Sequence, residues 1–290
     1  MGIESLFIEA HWPLSNVVIG SVLQESGERI TGQLQSTEGN FIYKIADESK
    51  KSTSLDKDLF IFEFLSERGF PHIPKLLKTR NARLYHIEEG RCIYLLEYIA
   101  GKNLESTPET YQKLGEITAK LHNIAGYPYE TEFDTKVIIK EHLPERVDKL
   151  SFKEEYLKLV NSLPDFSGLP KALIHTDIGR LNAIEKRDGN LVLVDWDDVG
   201  AGPAVLDISF PLIQQFISED CSFFPENAQA FYRSYFSRRK MSKEEKTYIF
   251  DAGLFFALDY IAYGDVHKRW QRIQWALKHR EEIESVIPNI

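Results

Sequence analysis

The sequence predicts an α+β protein in two lobes, a small, mostly antiparallel β lobe carrying one helix and a larger, mostly α lobe. Three features predict it. The first hundred residues hold short apolar runs separated by turn residues, the pattern of hairpins. The segment Ala100-Gly101-Lys102-Asn103 then breaks that pattern. Beyond it, apolar residues recur at helical spacing, and strand-like runs return only between 171 and 198. The division implied is an N-terminal lobe over 1–99 and a C-terminal lobe over 100–290.

In chain order, 17–23 reads as a strand and Ser26-Gly27-Glu28 as a turn. Residues 30–35 and 41–45 are the arms of a hairpin closed by Glu38-Gly39-Asn40. In SLDKDLFIFEFLSERG, apolar residues at 55, 59, 62 and 65 predict a helix that Gly69 stops. Pro71 and Pro74 carry the chain onward in extended form. Strands follow at 82–87 and 92–98, turning at Glu88-Glu89-Gly90-Arg91. The first helix of the second lobe has Ser106 and Glu109 spaced as a capping box, with Pro108 in the first turn. Tyr111, Leu114, Ile117 and Leu121 line its apolar face, and Gly126 ends it. An amphipathic piece lies near 151–161, and helical periodicity runs from about 204 onward.

Composition narrows the function classes. Apolar residues make up 43% and charged residues 27% of 290 residues, ordinary for a globular protein. No apolar run has the length of a membrane-spanning helix. The N-terminus carries Glu4 and Glu9 in place of a basic region, so no secretory signal is expected, and Leu6 breaks the myristoylation pattern that Gly2 would begin. The net charge of −9 argues against a broad nucleic-acid surface; it suits a cationic small substrate and plain solubility equally. The two cysteines, Cys92 and Cys221, have neither metal nor redox spacing, and Cys92 reads as a core residue. The expected setting is the cytoplasm. Oligomeric state is not encoded in any pattern of the chain.

The chemistry concentrates in IHTDIGRLNAI (174–184) and LVLVDWDD (191–198). Asp177 and Asn182 are five residues apart, and Asp195 ends an apolar strand. The intervening Asp188-Gly189 hairpin folds Asp195 back beside Asn182. This set suits phosphoryl transfer, which needs a carboxylate for the proton of the attacking hydroxyl and oxygen ligands for Mg²⁺. Asp177 fits the base; the Asn182 carbonyl and the Asp195 carboxylate fit the metal. A cation is needed for the phosphates. Lys44, in the strand FIYKI, supplies one if an acid of the next helix positions it, with Asp56, Asp58 and Glu63 as candidates.

Lys44, GFPHIP (69–74), LLEYIAG (95–101), LGEITAKLH (114–122), HTDIGRLN (175–182), VDWDD (194–198) and GPAVLDIS (202–209) together resemble the aminoglycoside phosphotransferase and choline kinase-like family, over about residues 20–215. The resemblance implies a protein-kinase-like two-lobed fold. It implies Asp177 as catalytic base, Asn182 and Asp195 as Mg²⁺ ligands, and Lys44 on the α/β-phosphates of ATP or GTP. It pairs Lys44 with Asp58, Glu63 being the reserve. Glu97 and Ile99 offer backbone groups to the adenine, and the Ser26-Gly27 turn lies over the phosphates. His175 and Trp196 are read as packed, Asp207 as binding backbone near the loop, and Asp197 and Asp198 as supporting acids. Arg180 reads as a γ-phosphate contact or a salt bridge.

The acceptor is expected to be a small hydroxylated molecule. The C-terminal helices carry Asp251, Phe255, Phe256, Asp259, Tyr260, Tyr263, Asp265, Trp270 and Trp275. Asp259 with the neighbouring aromatics would suit an ammonium group, as in an aminoglycoside or an amino alcohol such as choline. Homoserine and sugars are the alternatives, and a non-catalytic nucleotide binder is another. A protein kinase is disfavoured: Asp197 to Leu206 leaves no room for a long activation segment, and Ala-Pro-Glu is missing.

Overall fold

Alternating apolar residues demand a sheet with one face against a core, and the computed structural model, which describes residues 3–26, 29–46, 52–131, 133–143 and 150–288, supplies both. Two units are present: one runs to Lys102 and includes Ile184–Val194, the other comprises Asn103–Ala183 and the chain from Asp195. In the first, β1 (Val18–Ser26), β2 (Arg29–Ser36), β3 (Gly39–Ala46), β4 (Leu76–Leu77), β5 (His86–Glu88) and β6 (Arg91–Glu97) form an antiparallel sheet ordered β1-β2-β3-β6-β4, with β5 also on β6. Leu34, Tyr43, Ile45, Ile93 and Leu95 pack on one face against Ile8, Trp12 and Leu14. Ile8 comes from α1 (Ser5–His11), a helix too short for its periodicity to be read from sequence. Tyr43 crosses the strand beside it at Gly32, where any Cβ would meet the ring at 2.3 Å. The period of two puts Lys44 on the opposite face, between Thr31 and Tyr94.

The helix read from spacing is α2 (Ser52–Glu67), with Leu55, Leu59, Phe62 and Leu65 buried. Gly69 stops it at φ 68° in a Schellman turn: its N–H donates to Ser66 O and that of Phe70 to Leu65 O, both at 3.0 Å. The strand expected over 82–87 is a correction. Only His86–Glu88 pairs, because Thr79 closes a local turn with Arg83 (N to O, 2.9 Å) and Ala82 sits at φ 60°. GFPHIP clamps a second hairpin: His72 Nδ1 lies 2.7 Å from Leu191 O, and Leu193 N donates to His72 O at 2.9 Å. That hairpin is β9 (Ala183–Lys186) and β10 (Leu191–Leu193), joined with β7 (Gly101–Asn103) in the order β10-β9-β7. It turns at Gly189, φ 80°, as the Asp188-Gly189 pair predicts.

The second unit opens with α3 (Pro108–His122). Its cap is Thr107, whose hydroxyl accepts from Thr110 N–H at 3.2 Å, and the Ser106–Glu109 box does not form. Proline prefers the first helical position, which moves the cap one residue on. Tyr111, Leu114, Ile117 and Leu121 are buried as their spacing requires. The helix ends at His122, four residues before Gly126. After α4 (Lys153–Ser162), β8 (Lys171–Ile174) pairs antiparallel with β11 (Gly200–Pro203). Then come α5 (Ala204–Gln214), α6 (Pro225–Arg238), α7 (Ile249–Asp259) and α8 (Val266–Lys278). Every residue of α5 from Ala204 to Ile213 is buried. No helix among the described residues is long and apolar enough to cross a membrane.

One buried carboxylate organises this unit. Asp207 on α5 has no exposed surface. Its Oδ2 accepts from His175 N at 2.8 Å and its Oδ1 from Thr176 N at 2.5 Å. His122 Nε2 lies 2.9 Å from Oδ2, and His122 Nδ1 lies 2.9 Å from the Tyr235 hydroxyl of α6. Helices α3, α5 and α6 are thereby tied to the turn after β8.

Two substitutions test this packing. Asp207→Ala orphans three buried partners and is expected to cost about 3–5 kcal/mol in urea unfolding. At Gly115, where α3 meets α6, a Cβ would stand 2.3 Å from Phe231 O, and backbone cannot step aside. Gly115→Ala should lower the urea midpoint by an amount equivalent to about 1–3 kcal/mol, with little change in slope.

Candidate active site

The two loops carrying the predicted acids leave from neighbouring strands: 175–182 follows β8, and β11, which pairs with β8, begins at Gly200 just after 194–199. Both loops contain a left-handed residue that is not glycine, Thr176 at φ 72° and Asp195 at φ 66°. A β-branched residue in that conformation costs on the order of 1–3 kcal/mol. At Thr176 the cost is offset by the Asp207 bonds to both adjoining amides, and its hydroxyl donates to His175 O at 2.6 Å. Ile178 is fully buried beyond it. Gly179 lies against Gln215, whose Oε1 accepts from Arg180 N at 3.0 Å and from the Tyr111 hydroxyl at 3.3 Å.

This loop brings Asp177 and Asn182 together. Asn182, at the end of the short helical turn Arg180–Asn182, donates its Nδ2 to Asp177 O at 3.0 Å and to Asp177 Oδ2 at 2.5 Å. The amide nitrogen is therefore spent on Asp177, and Oδ1 is the end of Asn182 suited to ligation. Burial pushes the Asp177 carboxyl up to about 7, and the negative charges of Asp195 and Asp207 add to the rise. Hydrogen bonds from Asn182 and the Tyr260 hydroxyl oppose it. Burial first, then the charge of Asp177, holds Tyr260 above the usual phenol range, so it remains a donor. Among the described residues, no group of three His, Cys, Asp or Glu forms a complete metal cage. The oxygen donors expected there, the Asn182 amide and the Asp195 carboxylate, would suit a divalent cation also held by phosphates and water.

The remaining predicted residues fall as follows. Lys44 is half-buried in the middle of β3. Asp58 is half-buried on α2. The other candidate acids face elsewhere: Glu63 pairs with Lys78, and the charge of Asp56 lies near the Tyr85 hydroxyl and helps to raise it. Glu97 ends β6; its N–H donates to Lys75 O at 2.8 Å, and that of Tyr98 to Asn40 O at 3.1 Å. Ile99 is buried. Ser26 ends β1, and Gly27 lies outside the described residues. His175 is buried edge-on against Trp196, ring centres 4.6 Å apart, as a packed histidine. Arg180 meets no carboxylate among the described residues, and its charge lies near the Tyr111 hydroxyl.

Asp177, Arg180, Asn182, Tyr260, Arg269 and Arg272 line a cavity of about 650 Å³. Sequence reasoning missed the two arginines and the place of Tyr260 beside Asp177. Their only signal is the i, i+3 spacing of Arg269 and Arg272, which by itself fits a solvated helix face. Most of the aromatics and acids offered for an ammonium group have structural work: Phe255, Phe256 and Trp270 are core, Asp251 pairs with Arg280, and Asp265 caps α8.

Solved structures of three kinases share this fold. A spectinomycin phosphotransferase in complex with ADP and spectinomycin is 15% identical, with a TM-score of 0.65 over 99% of this chain and 98% of that one. An amicoumacin kinase with AMP-PNP, Ca²⁺ and Ami is also 15% identical, with a TM-score of 0.65 over 98% and 94%. A microcompartment-associated aminopropanol kinase is 16% identical, with a TM-score of 0.69 over 96% and 97%. The small antiparallel β part with one long helix and the larger helical part are thus those of a kinase-like fold. The model of the phosphotransferase enzyme family matches residues 29–242, most of the chain, and the protein belongs to that family, whose members are phosphotransferases with an alcohol group as acceptor.

Proposed function

We propose that the protein moves the γ-phosphate of ATP onto a hydroxyl of a small molecule, with Asp177 as the base. The observation that carries this is Asp177 itself: a carboxylate held by Asn182, with Tyr260 beside it, on the wall of a 650 Å³ cavity. A carboxylate so placed takes a proton from an alcohol as the oxygen–phosphorus bond forms. The acceptor O–H hydrogen-bonds to Asp177 as its oxygen lines up with the γ-phosphorus. The bond from that phosphorus to the β-bridging oxygen breaks, ADP carries the electron pair away, and Asp177 holds the proton until product leaves.

Asn182 Oδ1 and the Asp195 carboxylate are the ligands for a divalent cation, for which Mg²⁺ is the natural choice with ATP; it would offset charge on the β- and γ-phosphates. The ADP, AMP-PNP and Ca²⁺ bound by the structural relatives support a nucleotide and a divalent ion here. Lys44 is assigned to the α/β-phosphates. Asp58 is its partner in preference to Glu63, which Lys78 occupies. Because Glu97 N–H and Tyr98 N–H are already bonded, Ile99 N–H is the donor assigned to adenine, with Glu97 O as acceptor. The cytoplasm, where ATP is abundant, is the setting that suits this reaction.

Asp177→Asn keeps the shape and removes the base. In an assay of ADP release over aminoglycosides, amino alcohols, homoserine and sugars, kcat should fall about 10²–10⁴-fold with nucleotide affinity retained. Full activity in this variant would remove Asp177 from the role. Asp195→Asn should weaken AMP-PNP binding in the presence of Mg²⁺, and leave it unchanged in excess chelator.

A further inference from the structure

The cavity beside Asp177 has a charge that its acid-rich surroundings hide. Arg272 lines it and is only 6% exposed, yet no carboxylate among the described residues pairs with it. One terminal nitrogen donates to Gln214 Oε1 at 2.7 Å, and Gln214 is itself fixed by donating to Phe256 O at 2.9 Å. The Nε of Arg272 has no partner among the described residues. Arg269, one turn earlier on α8, donates from Nη2 to Tyr263 O at 2.5 Å, and its Nε is likewise unpartnered. Glu219, the other acid of this wall, is exposed and pairs with Lys268 at 3.6 Å. Burial, and then repulsion from Arg269, pushes Arg272 down to about 10, with the charge of Glu219 only partly opposing them.

A buried guanidinium with no paired carboxylate is costly, and the like charge of the half-buried Arg269 beside it adds to that cost. The groups that offset such a pair are oxyanions, whose oxygens match the fixed fork of guanidinium donors. An ammonium compound entering the same cavity would meet two like charges. We propose that the acceptor is a hydroxyl compound carrying an oxyanion, a carboxylate or a phosphate, held by Arg269 and Arg272 while its hydroxyl faces Asp177. This rests on the phosphotransfer reading and turns the choice of acceptor away from choline-like cations.

The test is calorimetry on the full chain with four compounds of one three-carbon skeleton: glycerate, glycerol 3-phosphate, glycerol and 3-amino-1,2-propanediol. At least one of the two oxyanions should bind about tenfold or more tighter than glycerol and the amine, and which one does tells carboxylate from phosphate. Arg272→Gln should weaken that compound about tenfold and leave AMP-PNP binding unchanged; Arg272→Lys should recover part of the loss. Lys278→Gln, at the exposed end of the same helix, should bind it like the parent. A merely structural arginine would not produce that compound-specific loss. Tighter binding of the amine overturns the proposal, as does failure of both oxyanions to bind up to about 10 mM, or an Arg272→Gln variant that binds them unchanged. Failure of AMP-PNP to bind would instead sink the phosphotransfer reading and leave the oxyanion result standing.

Discussion

The carboxylate of Asp207 is the constraint on which the candidate site depends. It has no surface of its own, and it accepts from two successive backbone amides, those of His175 and Thr176. That grip makes a left-handed threonine tolerable and sets the direction in which the loop leaves β8. Everything after it is local. Ile178 is buried, Gly179 rests on Gln215, and the short turn to Asn182 brings an amide within 2.5 Å of Asp177. The anchor is itself anchored, through His122, to Tyr235. Three helices thus hold one turn of backbone, and the positions of Asp177 and Asn182 follow from it.

The first unit has its own equivalent in His72. Its backbone carbonyl takes the N–H of Leu193 and its ring meets Leu191 O, so the segment after α2 fixes the strand that leads to Asp195. The Schellman turn at Gly69 delivers that segment. The residues separating helix from strand are therefore a positioning device, and their glycine and prolines are needed for the path they impose.

What was legible in the sequence was what depends on near neighbours. The strand alternation around Tyr43 and Ile45, the helical spacing of Leu55 to Leu65 and the stop at Gly69 are all set by a few residues, and all appear in the structure. Asp177 and Asn182 were legible for the same reason, since a five-residue turn can join them. Asp207 was expected to bind backbone near the loop, and it does. Boundaries slipped where two local signals compete. Pro108 chose Thr107 over Ser106 as cap, and the Thr79–Arg83 turn displaced the first half of a strand. The missed features lie far apart in the chain: β11 finds β8, Tyr260 lies beside Asp177, and Arg272 faces a cavity that exists only once α5, α8 and the turn after α7 have come together. No window of sequence contains those relations.

The grip of Asp207 has one more consequence. It recognises amides, which every residue but proline carries, and ignores the side chains of His175 and Thr176. The shape of the loop is therefore written at a position some thirty residues downstream of the loop itself. That instruction is separate from the packing of the buried His175 side chain on Trp196 and the bond of the Thr176 hydroxyl, and the same loop grafted into a scaffold without the distant carboxylate would arrive as a string of letters with no fold to read them.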